Sequence, residues 1–459
     1  MLHAWYIVLA IDSRKLQRAT PLLLLPATSS AFHLQHRATA SFARHSHVRP
    51  LTAPLMSGDV KRAKAADSAL LLETCHDACS SLSVMVGAIY NMVSADESKA
   101  TLKQDKSVFT LADGLVQALL KRMLIPHVAG IVGEEDEDEL NIVEPPFRAG
   151  ELTAPPEIEA LVVETRDQLD ALSKRLVGGS YEHLTPFIDP IDGTKEFATR
   201  KGEQCTICIG FASASGDVLA GIVYRPLTSP ATFALGCAAD GVKRSSLNGG
   251  GGDDERPGAT AAPPRTHTPP EAEAGAPAET TTRRMVCSNG SLSGFTRALA
   301  DELGCGLVRA GGAGNKALLL LEGVGSCYIQ DRGLSRWDSC AAQAVLEAHG
   351  GCFAKLSAFA AAAQEQGPPA LASYRYVKGD TNADFEPGVP LLTPYNARGG
   401  AAPEPAADGT PPRATDAAQL KPYANTCGLI ALPAGEMGSL AEYQRAVAAA
   451  AAKVAPAFD

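Results

Sequence analysis

From about residue 60 to the C-terminus, apolar segments with helical spacing alternate with short β-rich runs. That interleaving constrains the fold more than any single residue does. Ala65–Val93 is rich in Ala, Leu and Val with few breakers. In the stretch 111–124 (LADGLVQALLKRML), Leu111, Leu115, Ala118, Leu119 and Arg122 fall near helical spacing. Gly130-Ile131-Val132 reads as a short strand entering an acidic loop, Glu134–Glu139. Residues 145–180 mix prolines with a charged helix. Residues 184–188 (LTPFI) read as a strand ending in the turn Asp189-Pro190-Ile191-Asp192-Gly193. Residues 205–212 and 218–224 flank a loop containing Gly216, the pattern of a hairpin. Residues 309–328 run from a glycine loop through a helix to a strand, and 337–351 read as a helix stopped by Gly350-Gly351. No internal repeat is present. Helices and strands in this mixed order predict layered helices and sheets, an α/β (α+β) chain.

The 459 residues are 45% hydrophobic and 20% charged, ordinary for a globular enzyme. The longest apolar stretches fall well short of the roughly 18 residues a membrane span needs. A net charge of −10 argues against binding a nucleic-acid polymer or an anionic membrane. It leaves room for a small anionic ligand, because a few cations reverse a local field. Eleven cysteines are too sparse for a disulfide scaffold, and their odd number leaves at least one without an intramolecular partner. Cys205-Thr-Ile-Cys208 lies in an expected strand, where residues three apart face opposite sides. Cys75 and Cys79 share a helix face and read as core.

Residues 1–58 are rich in Arg, Ser and His, with Asp12 the only acid. That composition reads as a transit peptide for chloroplast or mitochondrion; the alternatives are a disordered tail, or translation starting at Met56 in a cytoplasmic protein. Residues 246–284, with four glycines at 249–252, read as a disordered insertion, and about 397–418 as a second. Residues 60–245 and 285–459 are then two parts of one globular unit.

Four acids stand out by context. Glu134 follows a strand, Asp189 and Asp192 flank a turn, and Asp338 opens a helix. Carboxylates gathered above a sheet edge repel unless cations occupy the site, and hard divalent ions suit oxygen ligands, magnesium foremost. Pro190 donates no hydrogen bond, so the carbonyl of Ile191 can face the same ion. Gly193 allows close backbone approach, and Thr194 offers a hydroxyl beside it. Alone, each piece is more often a solvated loop, a turn or a helix cap; in this order the set is far more specific.

The set resembles the inositol monophosphatase superfamily, whose signatures are Gly-Glu-Glu, Asp-Pro-(Ile/Leu)-Asp-Gly/Ser-Thr and a Trp-Asp opening a helix. FIDPIDGTKEF (187–197), RAGGAGNKALLLLEG (309–323) and RWDSCAAQAVLEAHGG (336–351) make it most similar to the 3'(2'),5'-bisphosphate nucleotidases. The resemblance implies a layered αβαβα sandwich of the inositol monophosphatase and fructose-1,6-bisphosphatase type. It implies Glu134, Asp189, the Ile191 carbonyl, Asp192 and Asp338 as ligands of two or three Mg2+ ions. Asp113 would pair with Thr194 to orient and deprotonate the attacking water. Gly312 and Lys316 would contact the nucleotide, Lys316 neutralising the phosphate that stays on the product. The chain departs from its relatives at Cys287-Ser288-Asn289-Gly290, where close relatives often carry a histidine.

The implied activity is lithium-sensitive, magnesium-dependent removal of the 3'-phosphate from 3'-phosphoadenosine 5'-phosphate, and from its 5'-phosphosulfate, as in sulfur assimilation. The rivals are an inositol polyphosphate 1-phosphatase using the same site and a non-catalytic nucleotide-binding regulator. The expected partner is a small nucleotide bisphosphate, and the expected state a monomer. Asp192→Asn is expected to abolish activity and leave the fold intact or slightly stabilised, through relief of carboxylate repulsion.

Overall fold

The helical spacing near the start of the globular region becomes two long helices, α1 (Gly58–Ala95) and α2 (Leu102–Leu124). α2 begins well before Leu111, so Asp113 sits inside a helix instead of at its head. The computed structural model describes residues 58–95, 102–135, 140–149, 152–247, 283–364, 367–377, 392–400, 404–410 and 412–458. The transit segment (apart from Gly58) and nearly all of the insertion expected at 246–284 lie outside the described residues. The chain continues through β1 (Val132–Gly133), β2 (Leu140–Asn141), β3 (Arg148–Ala149), β4 (Leu152–Thr153), α3 (Pro156–Ser173), β5 (Leu184–Asp192), α4 (Thr194–Ala198), β6 (Thr206–Ser213), β7 (Val218–Arg225), β8 (Thr232–Cys237) and β9 (Val242–Ser245). The second half runs through β10 (Arg284–Ser288), α5 (Gly294–Leu303), β11 (Gly306–Ala310), α6 (Ala313–Leu321), β12 (Cys327–Gln330), β13 (Leu334–Ser335), α7 (Arg336–Ala348), β14 (Cys352–Lys355), α8 (Leu356–Gln364), β15 (Ala424–Asn425), β16 (Leu429–Leu432) and α9 (Leu440–Lys453).

Two sheets carry the structure. The first has six strands in the order β1-β5-β6-β7-β8-β9, and the second five in the order β11-β10-β12-β16-β14. The expected hairpin is β6 and β7, paired antiparallel. Three apolar regions fix the layering. α1, α2 and α3 pack Leu72, Leu82, Leu115, Leu119 and Val162 against the outer face of the first sheet. α6 and α7 fill the space between the sheets, with Ala317, Leu320, Ala342 and Leu346 meeting Phe187, Val286 and Tyr328. α5, α8 and α9 close the far face with Phe295, Leu299, Phe359, Tyr443 and Val447. The order is helix, sheet, helix, sheet, helix: the αβαβα sandwich expected.

Two departures from expectation have physical causes. The Asp-Pro-Ile-Asp turn is the end of β5 itself, which runs on to Asp192 with a register break between Asp189 and Asp192. Pro190 has no N–H for the ladder, so the strand bulges there without ending. The stretch 397–418, expected to be disordered, places Ala397 and Ala414 in a small buried cluster with Leu392 and Leu420. Its low-complexity composition concealed two alanines that pack against Leu392 and Leu420 on either side of the stretch.

The depth of α7 matters for the site. Gly210, Gly221 and Gly236 on β6, β7 and β8 leave no room for a side chain: a Cβ there would lie 2.5 Å from Ala341 N, 2.9 Å from Ala344 Cβ and 2.3 Å from Ala348 Cβ. Small residues on both surfaces let the helix sit close to the sheet. Its first turn, with Asp338, thereby reaches the end of β5.

Candidate active site

Strand pairing brings the first two carboxylates together. β1 lies parallel to β5 with Gly133 opposite Ile188, and Glu134 N donates to Ile188 O at 3.2 Å. Glu134 therefore stands beside Asp189 across the strand ends. α2 fixes the other side of the Glu134 loop: Gln117 Nε2 donates to Glu135 O at 2.7 Å, and Glu135 N donates to Gln117 Oε1 at 3.0 Å. The third carboxylate arrives from α7. Ser335 caps that helix, and Asp338 Oδ2 accepts the Ser335 N–H at 2.7 Å, closing a capping box. Asp338 is thus a helix cap and a member of the acidic cluster at once. Carboxylate oxygens of Glu134, Asp189 and Asp338 lie within 4.8 Å of one another.

Burial and mutual repulsion act together here. Glu134 is pushed up to about 8, by desolvation first and then by Asp338 and Glu135, although its outer edge stays open to the cleft. Asp338 is pushed up to about 7 by burial and by Asp192. Asp189 is held well above the ordinary carboxylate range by burial, Glu134 and Asp192, and its Oδ1 is buried without a hydrogen-bond partner. An all-oxygen cluster of acids with an orphaned buried oxygen fits a hard divalent cation.

Without a cation, these groups hold their protons more tightly folded than unfolded, where they titrate near ~4. Stability contributed by their protonated forms is fully present below pH ~4, falls as pH rises above that, and is lost once pH passes about 7 to about 8. A divalent cation bound at the cluster would compete with those protons, so its stabilising effect would grow as pH rises toward about 8. Thermal melts with and without Mg2+ at pH 6 and pH 8 should show the larger magnesium-induced rise at pH 8. Equal shifts at both pH values would contradict this reading of the cluster.

Asp192 lines the same cleft but is engaged differently. Its Oδ1 accepts Ala313 N at 2.9 Å, and its Oδ2 accepts Gly314 N at 2.7 Å and Thr206 Oγ1 at 3.0 Å. It anchors the start of α6, and three of its roughly four acceptor sites are filled. Burial raises its pKa, while Lys316 and the two amides oppose the rise. The expectation for Asp192→Asn is corrected accordingly. An asparagine amide set against the Gly314 N–H loses an acceptor that a buried donor needs. The variant should be destabilised by about 1–3 kcal/mol, read from denaturant melts. A more stable variant would show that repulsion dominates after all.

Gly312 starts α6 with φ +65, and a Cβ there would lie 2.8 Å from Asp192 Oδ2, so only glycine fits beside that carboxylate. Lys316 is buried instead of facing solvent as a surface helix residue would. Its Nζ lies 5.0 Å from the Tyr328 ring centroid. Burial lowers its pKa against the charges of Asp192, Glu196 and Asp338. Gly193 at φ +96 turns the chain from β5 into α4, presenting Thr194 at the mouth of the cleft. Thr194 Oγ1 donates to Ile191 O at 3.5 Å, a long bond.

Asp113 is buried in α2, which packs against α4, and its Oδ1 has no hydrogen-bond partner. Burial, then Glu135 and Glu134, hold its pKa well above the ordinary range. No Asp113–Thr194 bond is formed in this state.

Sequence reasoning assigned no role to Glu196, Gln204 and Asn289. Asn289 Nδ2 donates to Glu196 Oε1 at 2.9 Å and to Gln204 Oε1 at 3.1 Å, and Gly311 N donates to Gln204 Oε1 at 2.8 Å. These bonds tie the glycine loop of the second sheet to the first. Asn289 stands in the stretch where a histidine was missing, which was the one signal pointing to it. All described cysteines are free, including Cys205 and Cys208.

Glu134, Asp189, Asp192, Thr194, Gly312, Lys316 and Asp338 wall a cleft of about 200 Å³. It continues into a cavity of about 440 Å³ through shared residues Ser288, Gln330 and Gly333. Among the described residues, no helix is long and apolar enough to cross a membrane.

Residues 78–383 match the inositol monophosphatase family. The chain is 30% identical to 3'(2'),5'-bisphosphate nucleotidase 1 of Mus musculus over 254 residues, 53% of this chain and 69% of that protein. It is 32% identical to 3'(2'),5'-bisphosphate nucleotidase 1 of Homo sapiens over 174 residues, 37% of this chain but only 49% of that protein. Among solved structures, CysQ from Bacteroides thetaiotaomicron matches with a TM-score of 0.39 at 16% identity, covering 82% of this chain and 97% of that one. That likeness is too loose to carry any residue across.

Proposed function

The chain belongs to the inositol monophosphatase family, and from that premise we propose that it is a magnesium-dependent phosphomonoesterase removing the 3'-phosphate of 3'-phosphoadenosine 5'-phosphate to give AMP and phosphate. The 5'-phosphosulfate form is a second substrate, and lithium inhibits both reactions. The observation that carries the reading is the acidic cluster at the floor of a cleft that opens into a much larger cavity. A cavity of about 440 Å³ falls within the roughly 300–1,000 Å³ of small-ligand sites, and Tyr395 gives it an aromatic wall suited to a base.

Glu134, Asp189, Asp338 and the remaining acceptor site of Asp192 would hold the cations, with the Ile191 carbonyl beside them. Bound there, divalent ions supply charge neutralisation at the phosphoryl group and a water acidic enough to attack it. The chain's own residues do the rest. Thr194 Oγ1, once it turns from Ile191 O, orients the attacking water. Asp113 Oδ1, buried and unpartnered, receives the proton through that hydroxyl. Lys316 offsets the negative charge of substrate and carboxylates in the cleft, and Gly312 lets the substrate approach the start of α6. Water attacks phosphorus and passes one proton through Thr194 to Asp113, the bond from phosphorus to the 3'-oxygen breaks, and the leaving 3'-oxygen takes a proton from solvent water in the cleft.

Phosphate release with Mg2+ from 3'-phosphoadenosine 5'-phosphate and from inositol 1,4-bisphosphate, each with and without millimolar lithium, tests the substrate. Preference for the nucleotide, lost in lithium, is expected. Preference for the inositol substrate would overturn the substrate while keeping the site. Nucleotide binding without turnover would favour a regulator.

A further inference from the structure

The cavity of about 440 Å³ beside the cleft has two charged lining residues, Asp331 and Arg332. Asp331 is already committed. It is buried, its Oδ1 accepts Thr296 Oγ1 at 3.3 Å, and its Oδ2 accepts Ala457 N at 3.2 Å, tying down the C-terminal segment. Arg332 is not committed in this way. Its hydrogen bonds run from Nη2 to Ser291 Oγ at 3.4 Å and to Ser291 O at 3.5 Å, both long, and it forms no ion pair among the described residues. The loop between β12 and β13 therefore carries the half-buried Arg332 to the cavity wall and, among the described residues, leaves most of its donors unspent.

A substrate with one phosphate at the acidic cluster and a second phosphate elsewhere gains from a second cation placed at that phosphate. Lys316 walls the cleft and not the cavity. The planar fork of a guanidinium matches two phosphate oxygens at once, and a charged pair of this kind is stronger than a neutral hydrogen bond. We propose that Arg332 receives the second, non-scissile phosphate of a bisphosphate substrate and so sets the preference for bisphosphates over monophosphates. This rests on the reading above, that the scissile phosphate sits in the acidic cleft. Arg332 is a specificity residue: it holds the part of the substrate that does not react, and the chemistry at the cluster does not pass through it.

The test compares kcat/KM with Mg2+ for 3'-phosphoadenosine 5'-phosphate and for adenosine 3'-phosphate, which lacks the second phosphate. Wild-type protein, Arg332→Gln and Arg332→Lys are measured side by side. Arg332→Gln should lower the bisphosphate-to-monophosphate ratio by about 10- to 100-fold, mainly through KM, with Arg332→Lys falling between. An unchanged ratio in Arg332→Gln, or an equal loss on both substrates, would overturn the proposal. Should the wild type hydrolyse inositol 1,4-bisphosphate and neither nucleotide, the nucleotide reading fails, and the ratio is taken for inositol 1,4-bisphosphate over inositol 1-phosphate. A fall in that ratio would still support Arg332, and no change would overturn it.

Discussion

Asp189→Asn is expected to lower kcat/KM for phosphate release by about 10²–10³-fold or more, while raising the melting temperature of the metal-free protein. Both effects come from the same geometry. Asp189 Oδ1 is buried with no hydrogen-bond partner, and Glu134, Asp192 and Asp338 all repel its charge. Replacing it with a neutral side chain of the same shape removes that repulsion, and its Oδ1 has no hydrogen bond to lose. It also removes the negative charge and one of the two oxygens that Asp189 brings to the cluster. Asp192→Asn should move stability the other way, because Asp192 holds α6 through Ala313 and Gly314. Activity assays and melts on the two variants in parallel give a comparison of opposite signs. A metal-free Asp189→Asn protein less stable than wild type would mean that the cluster is not held under electrostatic tension.

The second large effect is expected at Asp113 and Thr194. Asp113→Asn should reduce kcat by about 10²–10⁴-fold with KM changed far less, since its role lies in moving a proton. Thr194→Ala should behave alike, and the double variant should be little worse than the worse single one, because the two act as a unit. Steady-state kinetics on the three variants check this. Multiplied losses in the double variant would separate the two residues and remove the relay. The present hydrogen bond of Thr194 to Ile191 O makes a rotation of that hydroxyl part of the account.

Much of this site was legible because its carboxylates lie where local sequence marks strand ends and helix starts. Glu134 follows an Ile-Val pair, and Asp338 sits at the third position of α7, where Ser335 and Asp338 form a capping box readable from their spacing. The alternation of helices and strands pointed to layers, and the structure has them. What escaped depends on contacts between distant residues. Asp192 meets α6 across more than a hundred positions of chain, so its service as a helix anchor could not be read from a turn motif. The same holds for Asn289, Gln204 and Glu196, which join the two sheets through side-chain amides. The burial of Lys316 escapes the sequence too, because helical periodicity alone does not say which face of α6 a second sheet will cover. The glycine stripe on β6–β8 matters only once α7 lies across it. Pro190 suggested a turn because a lost ladder donor is compatible with either a chain reversal or a bulge; the pairing of Asp192 with Thr206 decides for the bulge.

The most direct test of the central claim is phosphate release from 3'-phosphoadenosine 5'-phosphate by the wild-type protein, first with a chelator and then as Mg2+ is added back. The account predicts no release above background in the chelator and a saturable rise with magnesium that Asp189→Asn fails to show. The same rate with chelator and with magnesium would contradict it.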